Sequence, residues 1–135
     1  MNTRIAQYFA VCGAVLISAV ATAQTSTTDS VYQLCLEQSG GVTANMRDCN
    51  AAEIARHDAR LNTAYKALQA QQRHAAAQTR LRQAQRQWLK QRDERCAPDR
   101  NSGTAALLEM DGCYLNAIKQ RADQLEAWVK TRKAF

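Results

Sequence analysis

The stretch ANMRDCNAAEIARHDARLNTAYKALQAQQR, residues 44–73, decides the fold of this chain. It contains neither Gly nor Pro, and its apolar residues recur at the spacing of one face of an α-helix. A long amphipathic helix is therefore predicted here, with Thr43 as its cap after the Gly40-Gly41 break. The apolar positions of this helix are Met46, Cys49, Ile54, Leu61, Tyr65 and Leu68.

Two further long helices are predicted downstream. One covers residues 76–96 and is ended by Pro98, the only proline in the chain. The other follows Thr104, which can cap it, and runs to about residue 133. The turn between the first two long helices is unmarked, because residues 71–78 contain neither Gly nor Pro. We expect a hairpin there, since one helix of about 50 residues could not bury its apolar stripe in so small a chain.

The remaining sequence completes an all-α prediction. Residues 24–30 are polar and are predicted to be a disordered lead-in, and residues 31–38 are predicted to form a short helix. No stretch of useful length alternates as a strand would. We predict a single domain over residues 31–135, a small antiparallel bundle of three main helices plus the short N-terminal helix.

The first 23 residues have the organisation of an export signal. Arg4 supplies a positive start, residues 8–20 are an apolar run, and small residues precede a cleavage site after Ala23. The apolar run is shorter than the roughly 20 residues that a membrane-spanning helix needs. The prediction is a periplasmic protein with a signal peptide at residues 1–23 and no membrane span in its mature form.

Four cysteines follow the predicted signal, an even number in an oxidising compartment. They predict two disulfides that staple the bundle, and the absence of a C-x-x-C motif argues against a redox or zinc motif. Antiparallel helices bring all four cysteines towards one end of the bundle, where bridges are sterically possible. Short loops favour Cys35 with Cys49 and Cys96 with Cys113, and the two crossed pairings stay open.

The net charge of the chain restricts the classes of partner that it could bind. The chain has 18 Lys and Arg against 12 Asp and Glu, a net charge of +6, and removal of Arg4 with the signal leaves +5 (6 − 1). These charges are interspersed along helices without stacking aromatics, so we predict no nucleic acid partner. An exported basic chain would instead meet other proteins or anionic envelope polymers. His57 and His74 lie in charged helical sequence, and we predict no metal and no cofactor.

Polar residues on the inward faces predict a structural network. Asp58 lies nine residues after Cys49 and Arg121 eight after Cys113, so the two are level if the cysteines are level, and we predict that they pair. A carboxylate held by guanidinium groups is a poor proton shuttle. The predicted network consists of Asp58, Asn62, Arg92 and Arg121.

No catalytic apparatus is visible beside this network. The chain shows no nucleophile with an adjacent base, no paired carboxylates in a cleft and no Gly-rich phosphate loop, so we predict that it is not an enzyme. Trp88 and Trp128 are predicted to be core anchors and not platforms for a ligand.

Several motifs in this order resemble a known family. They are M-x-x-C at 46–49, D-x-x-L-N-x-x-Y at 58–65, L-x-x-A-Q-R-x-W-L-x-x-R-D-x-x-C at 81–96, then Cys113 and R-x-x-x-L at 121–125. Together they are similar to the exported domain of the LprI-like lysozyme inhibitor family. The resemblance implies a small helical, disulfide-bonded protein of the envelope, and a role in binding and blocking lysozyme.

For an inhibitor, we expect the contacts to lie in an exposed loop near the disulfide end, because a rigid clasp presents a loop at little ordering cost. The residues of this predicted loop are Asp99, Arg100, Asn101, Ser102 and Gly103. The alternative is an envelope scaffold or stress-related module that binds anionic lipid or cell-wall polymer.

Overall fold

The computed structural model describes residues 27–98 and 103–135 of the 135-residue chain. These residues form helices and connecting turns and include no β-strand, which confirms the all-α prediction of three long helices and one short one. The predicted signal peptide lies outside the described residues. The four helices are α1 (Thr27–Gln38), α2 (Thr43–Gln71), α3 (Ala75–Arg95) and α4 (Gly103–Lys130).

The N-terminal ends of the helices differ from the predicted ones. Helix α1 begins at Thr27, inside the segment predicted to be a lead-in. The prediction that Thr43 caps α2 is wrong, because Thr43 is the first helical residue and Val42 precedes it in an extended conformation without a side-chain cap. Gly40 and Gly41, at φ of 62° and 75°, turn the chain tightly enough for α2 to start directly after Val42.

The three long helices run up, down and up. Arg47 near the start of α2 binds Asp111 near the start of α4, with Nε 2.7 Å from Oδ2, so these two helices are parallel. Gln71 at the end of α2 correspondingly donates to the carbonyl of Val129, at 3.1 Å. Helix α3 lies antiparallel to both, as short connections require. Consecutive helices are therefore antiparallel, as predicted.

Helices α2 and α4 approach each other most closely among the described elements. Small residues make this possible, since Ala64 on α2 and Ala117 and Ala122 on α4 are all buried. Helix α3 joins the pair through longer side chains. One core lies among the three helices, and its fully enclosed leucines are Leu68, Leu81 and Leu125. Trp88, Trp128, Ile54 and Tyr65 pack against its edge.

The turn between α2 and α3 confirms the predicted hairpin. Gln72, the residue directly after α2, is buried, with an exposed fraction of 5%. Its side-chain amide donates to the carbonyls of Leu68 at 3.1 Å and Lys133 at 2.9 Å. Its own carbonyl accepts a hydrogen bond from the side chain of Gln78 at 3.1 Å. The turn is thus held by contacts with the C-terminal segment and not by Gly or Pro.

Candidate functional site

Both disulfides lie at one end of the bundle. Cys35–Cys49 joins α1 to α2 with Cα atoms 5.9 Å apart, and Cys96–Cys113 joins the end of α3 to α4 at 5.5 Å. The two bridges that the short loops favour are confirmed. Because Arg47 and Asp111 pair two residues before Cys49 and Cys113, the bridged turns of α2 and α4 are level.

Three large apolar side chains are exposed on α1 and at the start of α2, near this disulfide end. Val31, Leu34 and Val42 are 67%, 52% and 52% exposed, although large apolar side chains are usually covered. Val31 and Leu34 are three residues apart and share one face of α1. The hydroxyl of Tyr32 donates to Oδ1 of Asn50 at 2.6 Å and, with the Cys35–Cys49 bridge, holds α1 against α2. We call Val31, Leu34 and Val42 the apolar tip.

The predicted partner-binding loop lies mostly outside the described residues. Of its members only Gly103 is described; it is the first residue of α4 and has a φ of 60°. Beside the place where this loop leaves and rejoins the bundle is a cavity of about 230 Å³ against the Cys96–Cys113 bridge. Its walls include Pro98, Glu109 and Met110.

The four predicted network residues do not form one network. Asp58 accepts a hydrogen bond from Asn62 at 2.8 Å on the exposed side of α2. Arg121 instead faces α3, so the prediction that Asp58 pairs with Arg121 is wrong. The prediction that Asp58 and Arg121 lie at the same height along the bundle was sound, because Arg47 on α2 contacts Asp111, which is 64 residues later in the sequence and lies on α4. The rotation of each helix about its axis, which rise alone does not fix, sends the two side chains to different neighbours.

Arg121 is enclosed between aromatic rings and amides. Its guanidinium carbon lies 5.3 Å from the ring centroid of Trp88 and 5.2 Å from that of Trp128. Nε and Nη2 donate to Oε1 of Gln85 at 3.0 and 2.8 Å, and Nη1 donates to Gln124. Burial lowers the pKa of Arg121, which nevertheless remains a cation at neutral pH.

The rings and cations continue along the α3/α4 face in both directions. Arg92 lies 5.2 Å from the ring centroid of Trp88 and 5.0 Å from that of Tyr114. At the other end, the ammonium of Lys133 lies 3.9 Å from the ring centroid of Trp128. Such contacts stabilise by about 0.5–1 kcal/mol each at exposed sites. The resulting cation–aromatic ladder consists of Tyr114, Arg92, Trp88, Arg121, Trp128, Lys133 and Phe135.

A buried histidine is the feature that the sequence analysis missed. His57 is 2% exposed, its Nε2 lies 3.0 Å from Oε1 of Glu53, and its Nδ1 lies 2.8 Å from Nη1 of Arg60. Nη2 of Arg56 lies 2.8 Å from Nε2, so each ring nitrogen lies beside an arginine donor. Burial and the charge of Arg56 lower the pKa of His57, while hydrogen bonding to Arg56 lowers the pKa of Glu53. The position of His57, four residues before Leu61 on the apolar stripe, was the available signal.

Ion pairs surround this histidine on the α2/α4 face. Arg60 donates to Asp123 at 2.7 Å and to Glu126 at 2.7 and 3.0 Å. Carboxylates that are already paired with arginine are poorly placed for proton transfer. In residues 27–98 and 103–135, no cluster of three His, Cys, Asp or Glu could hold a metal ion. No helix in those ranges is both long and apolar enough to cross a membrane.

Comparison with known proteins gives one match. A family model described as lysozyme inhibitor LprI matches residues 35–125, which is about two thirds of the chain and includes all four bridged cysteines. No curated protein matches the chain. No solved structure matches it either.

Proposed function

Because the chain belongs to the LprI lysozyme inhibitor family, we propose that it is an exported periplasmic protein that binds a lysozyme and blocks it without chemistry of its own. The observation that carries the proposal is the family match over residues 35–125. Two disulfides favour an oxidising compartment, which fits removal of residues 1–23 during export.

The disulfide end is the contact surface that we propose. The apolar tip offers side chains that lose water on contact, which is the usual centre of a protein interface. The described residues on either side of the predicted loop, Asp99 to Gly103, lie at the same end, since Pro98 and Ala106 line one cavity against the Cys96–Cys113 bridge. The Cys96–Cys113 bridge joins the helices on either side of this segment, and a segment anchored at both ends loses less entropy on complex formation.

The sequence of α1 and the start of α2 carries an acidic charge that fits a basic partner. Residues 27–46 contain Asp29 and Glu37 and no Lys or Arg, while the whole chain has a net charge of +6. A basic lysozyme would be repelled by the basic helical faces and attracted to this acidic segment. A basic partner could thus approach this acidic segment even though the chain as a whole is positively charged.

Titration of a lysozyme with the oxidised chain lacking residues 1–23 tests the proposal. We expect lytic activity to fall with added protein and to level off near a stoichiometric ratio. Full lytic activity at a large molar excess, across lysozymes of different origin, would remove the proposal. Reduction of both disulfides in a parallel sample should weaken inhibition, because the loop and α1 lose their restraint.

A pair of leucine variants locates the surface. Leu34→Ser should weaken inhibition about five- to thirtyfold, because a central apolar contact at an interface is worth about 1–2 kcal/mol. Leu89→Ser is the matched control, since Leu89 is also an exposed leucine, at 36%, but lies on α3. Equal inhibition by both variants would place the contact elsewhere. A chain with Asp99, Arg100 and Asn101 changed to Ala tests the loop in the same assay.

The alternative function, binding of anionic lipid or cell-wall polymer, stays a prediction. It requires retention on such polymers that falls steeply with added salt. Retention that is indifferent to ionic strength would count against it.

A further inference from the structure

One buried cation in the described residues has no anion beside it. Arg121 is 6% exposed, and its hydrogen-bond partners are the neutral side chains of Gln85 and Gln124. No carboxylate in residues 27–98 and 103–135 forms an ion pair with it. Buried charges are ordinarily paired with an opposite charge, because an isolated one loses its hydration without replacement. The site is therefore electrostatically incomplete.

A cavity opens against this arginine. It has a volume of about 220 Å³ and lies between α3 and α4, on the face that carries the cation–aromatic ladder. The walls contain a second arginine, three glutamines and one indole, and no acidic side chain. The polar lining residues are Trp88, Gln91, Arg95, Gln120, Arg121 and Gln124.

The free donors of the guanidinium point to the class of ligand. Of its five N–H groups, three are used by Gln85 and Gln124, which leaves two (5 − 3). Planar N–H pairs of arginine match the two oxygens of a carboxylate better than any neutral group. The rings of Trp88 and Trp128 hold the guanidinium plane in place before a ligand arrives.

We propose that this cavity is a carboxylate-binding site, in which Arg121 holds the carboxylate oxygens and Arg95 adds charge at the rim. The indole of Trp88 provides an apolar wall for a short aliphatic stem. The carboxylate comes from a small organic acid or from an Asp or Glu side chain on a partner protein, which present the same chemistry. The site lies on the α3/α4 face and does not depend on lysozyme binding at the disulfide end.

Tryptophan fluorescence gives a direct test, because the chain has only two tryptophans and both flank Arg121. The oxidised chain is titrated with acetate and, separately, with acetamide, which has the same shape without the charge. Sodium chloride keeps the ionic strength constant. We expect a saturable change with acetate, with a Kd on the order of millimolar, and none with acetamide. Identical responses to both would overturn the proposal.

A variant that supplies the missing anion internally sharpens the test. In Gln124→Glu a carboxylate replaces the amide that accepts from Arg121, so we expect the acetate response to disappear and Tm to rise. The matched control is Gln87→Glu, an exposed position on α3 outside the cavity, which should keep the acetate response. Arg95→Gln should weaken acetate binding severalfold. An undiminished acetate response in Gln124→Glu would overturn the proposal.

Two peptides separate the sources of the carboxylate. Acetyl-Ala-Glu-Ala amide and acetyl-Ala-Gln-Ala amide differ only in the charged group. Tighter binding of the Glu peptide than of acetate, by about tenfold or more, indicates a partner side chain. Equal affinities of the Glu peptide and acetate indicate a small organic acid. Equal binding of the Glu and Gln peptides would contradict a carboxylate site.

Discussion

The charged side chains on the two sides of helix α4 have different partners. Towards α2, Arg47 pairs with Asp111, and Arg60 pairs with Asp123 and Glu126, so each of these cations has a carboxylate partner. Towards α3, Arg121 has only amides and aromatic rings. The first side is made of small residues and closely packed helices. The second has longer side chains and a polar cavity.

This difference separates a side on which the cations are paired within the chain from a side on which a buried cation lacks an anion. Where helices approach closely and charges are paired, hydrogen-bonding and electrostatic needs are met within the chain. Where a buried cation lacks an anion and space is open beside it, the chain leaves an interaction for a ligand to complete. Four experiments test whether the two sides differ in this way.

The largest effect is expected from the core leucines on either side. Leu68 on α2 and Leu81 on α3 are both fully buried. Leu68→Ala should cost about 4–5 kcal/mol of unfolding free energy and Leu81→Ala about 2–3 kcal/mol, because the cost depends on how far the site can collapse. The closely packed α2/α4 pair has little room to move, whereas α3 can shift inward. Urea denaturation measures both, and an equal or reversed order would break the comparison.

The two disulfides should differ almost as clearly. Removing Cys96–Cys113, whose residues are 17 apart in sequence, should cost about 3 kcal/mol in the chain-entropy model. Removing Cys35–Cys49 should cost less globally, because no described side chain of α1 belongs to the core cluster and α1 can detach locally. Denaturation of the paired Cys→Ala variants gives the global values. Hydrogen exchange should show lost protection confined to α1 in the second variant.

The pH dependence should originate on the α2/α4 side. The pKa of His57 is lowered in the folded protein, so the unfolded chain binds a proton first as the pH falls through about 6.5. The part of the stability that depends on neutral His57 is thus fully present above that pH and declines below it. The depressed pKa of Glu53 adds a further loss at lower pH.

A histidine pair isolates this effect. His57→Gln should flatten the slope of unfolding free energy against pH between about 7.5 and 5.5. The exposed His74 is the control, and His74→Gln should leave the slope unchanged. A slope that survives in His57→Gln would assign the pH dependence to other groups.

The smallest effect is expected at the end of the cation–aromatic ladder. Lys133→Ala removes the contact with Trp128 and should cost about 0.5–1 kcal/mol. Lys119→Ala, at an exposed position on α4, should change stability by less than about 0.5 kcal/mol. Thermal denaturation of both variants measures the difference. Equal losses of stability in the two variants would mean that the contact between Lys133 and Trp128 does not stabilise the fold.

Most of the fold was predictable because it rests on local signals. The apolar spacing of α2, the stop at Pro98 and the Gly40-Gly41 break identified the helices to within a few residues. An even cysteine number and short loops identified the favoured bridges. The interactions within the site were less predictable. Helical rise predicted the height of Asp58 and Arg121 along the bundle, but it did not predict which side chains they contact.

The helical segments, their order and the place where the cysteines can meet could be read from the sequence, because these depend on spacing along one chain. The tertiary structure was needed to bury His57 and to turn Arg121 towards α3 without an anion. It also decided that the α2/α3 turn falls at Gln72, whose amide binds the C-terminal segment. These outcomes depend on how each helix is rotated about its axis, and that rotation is set by the packing of all three helices together.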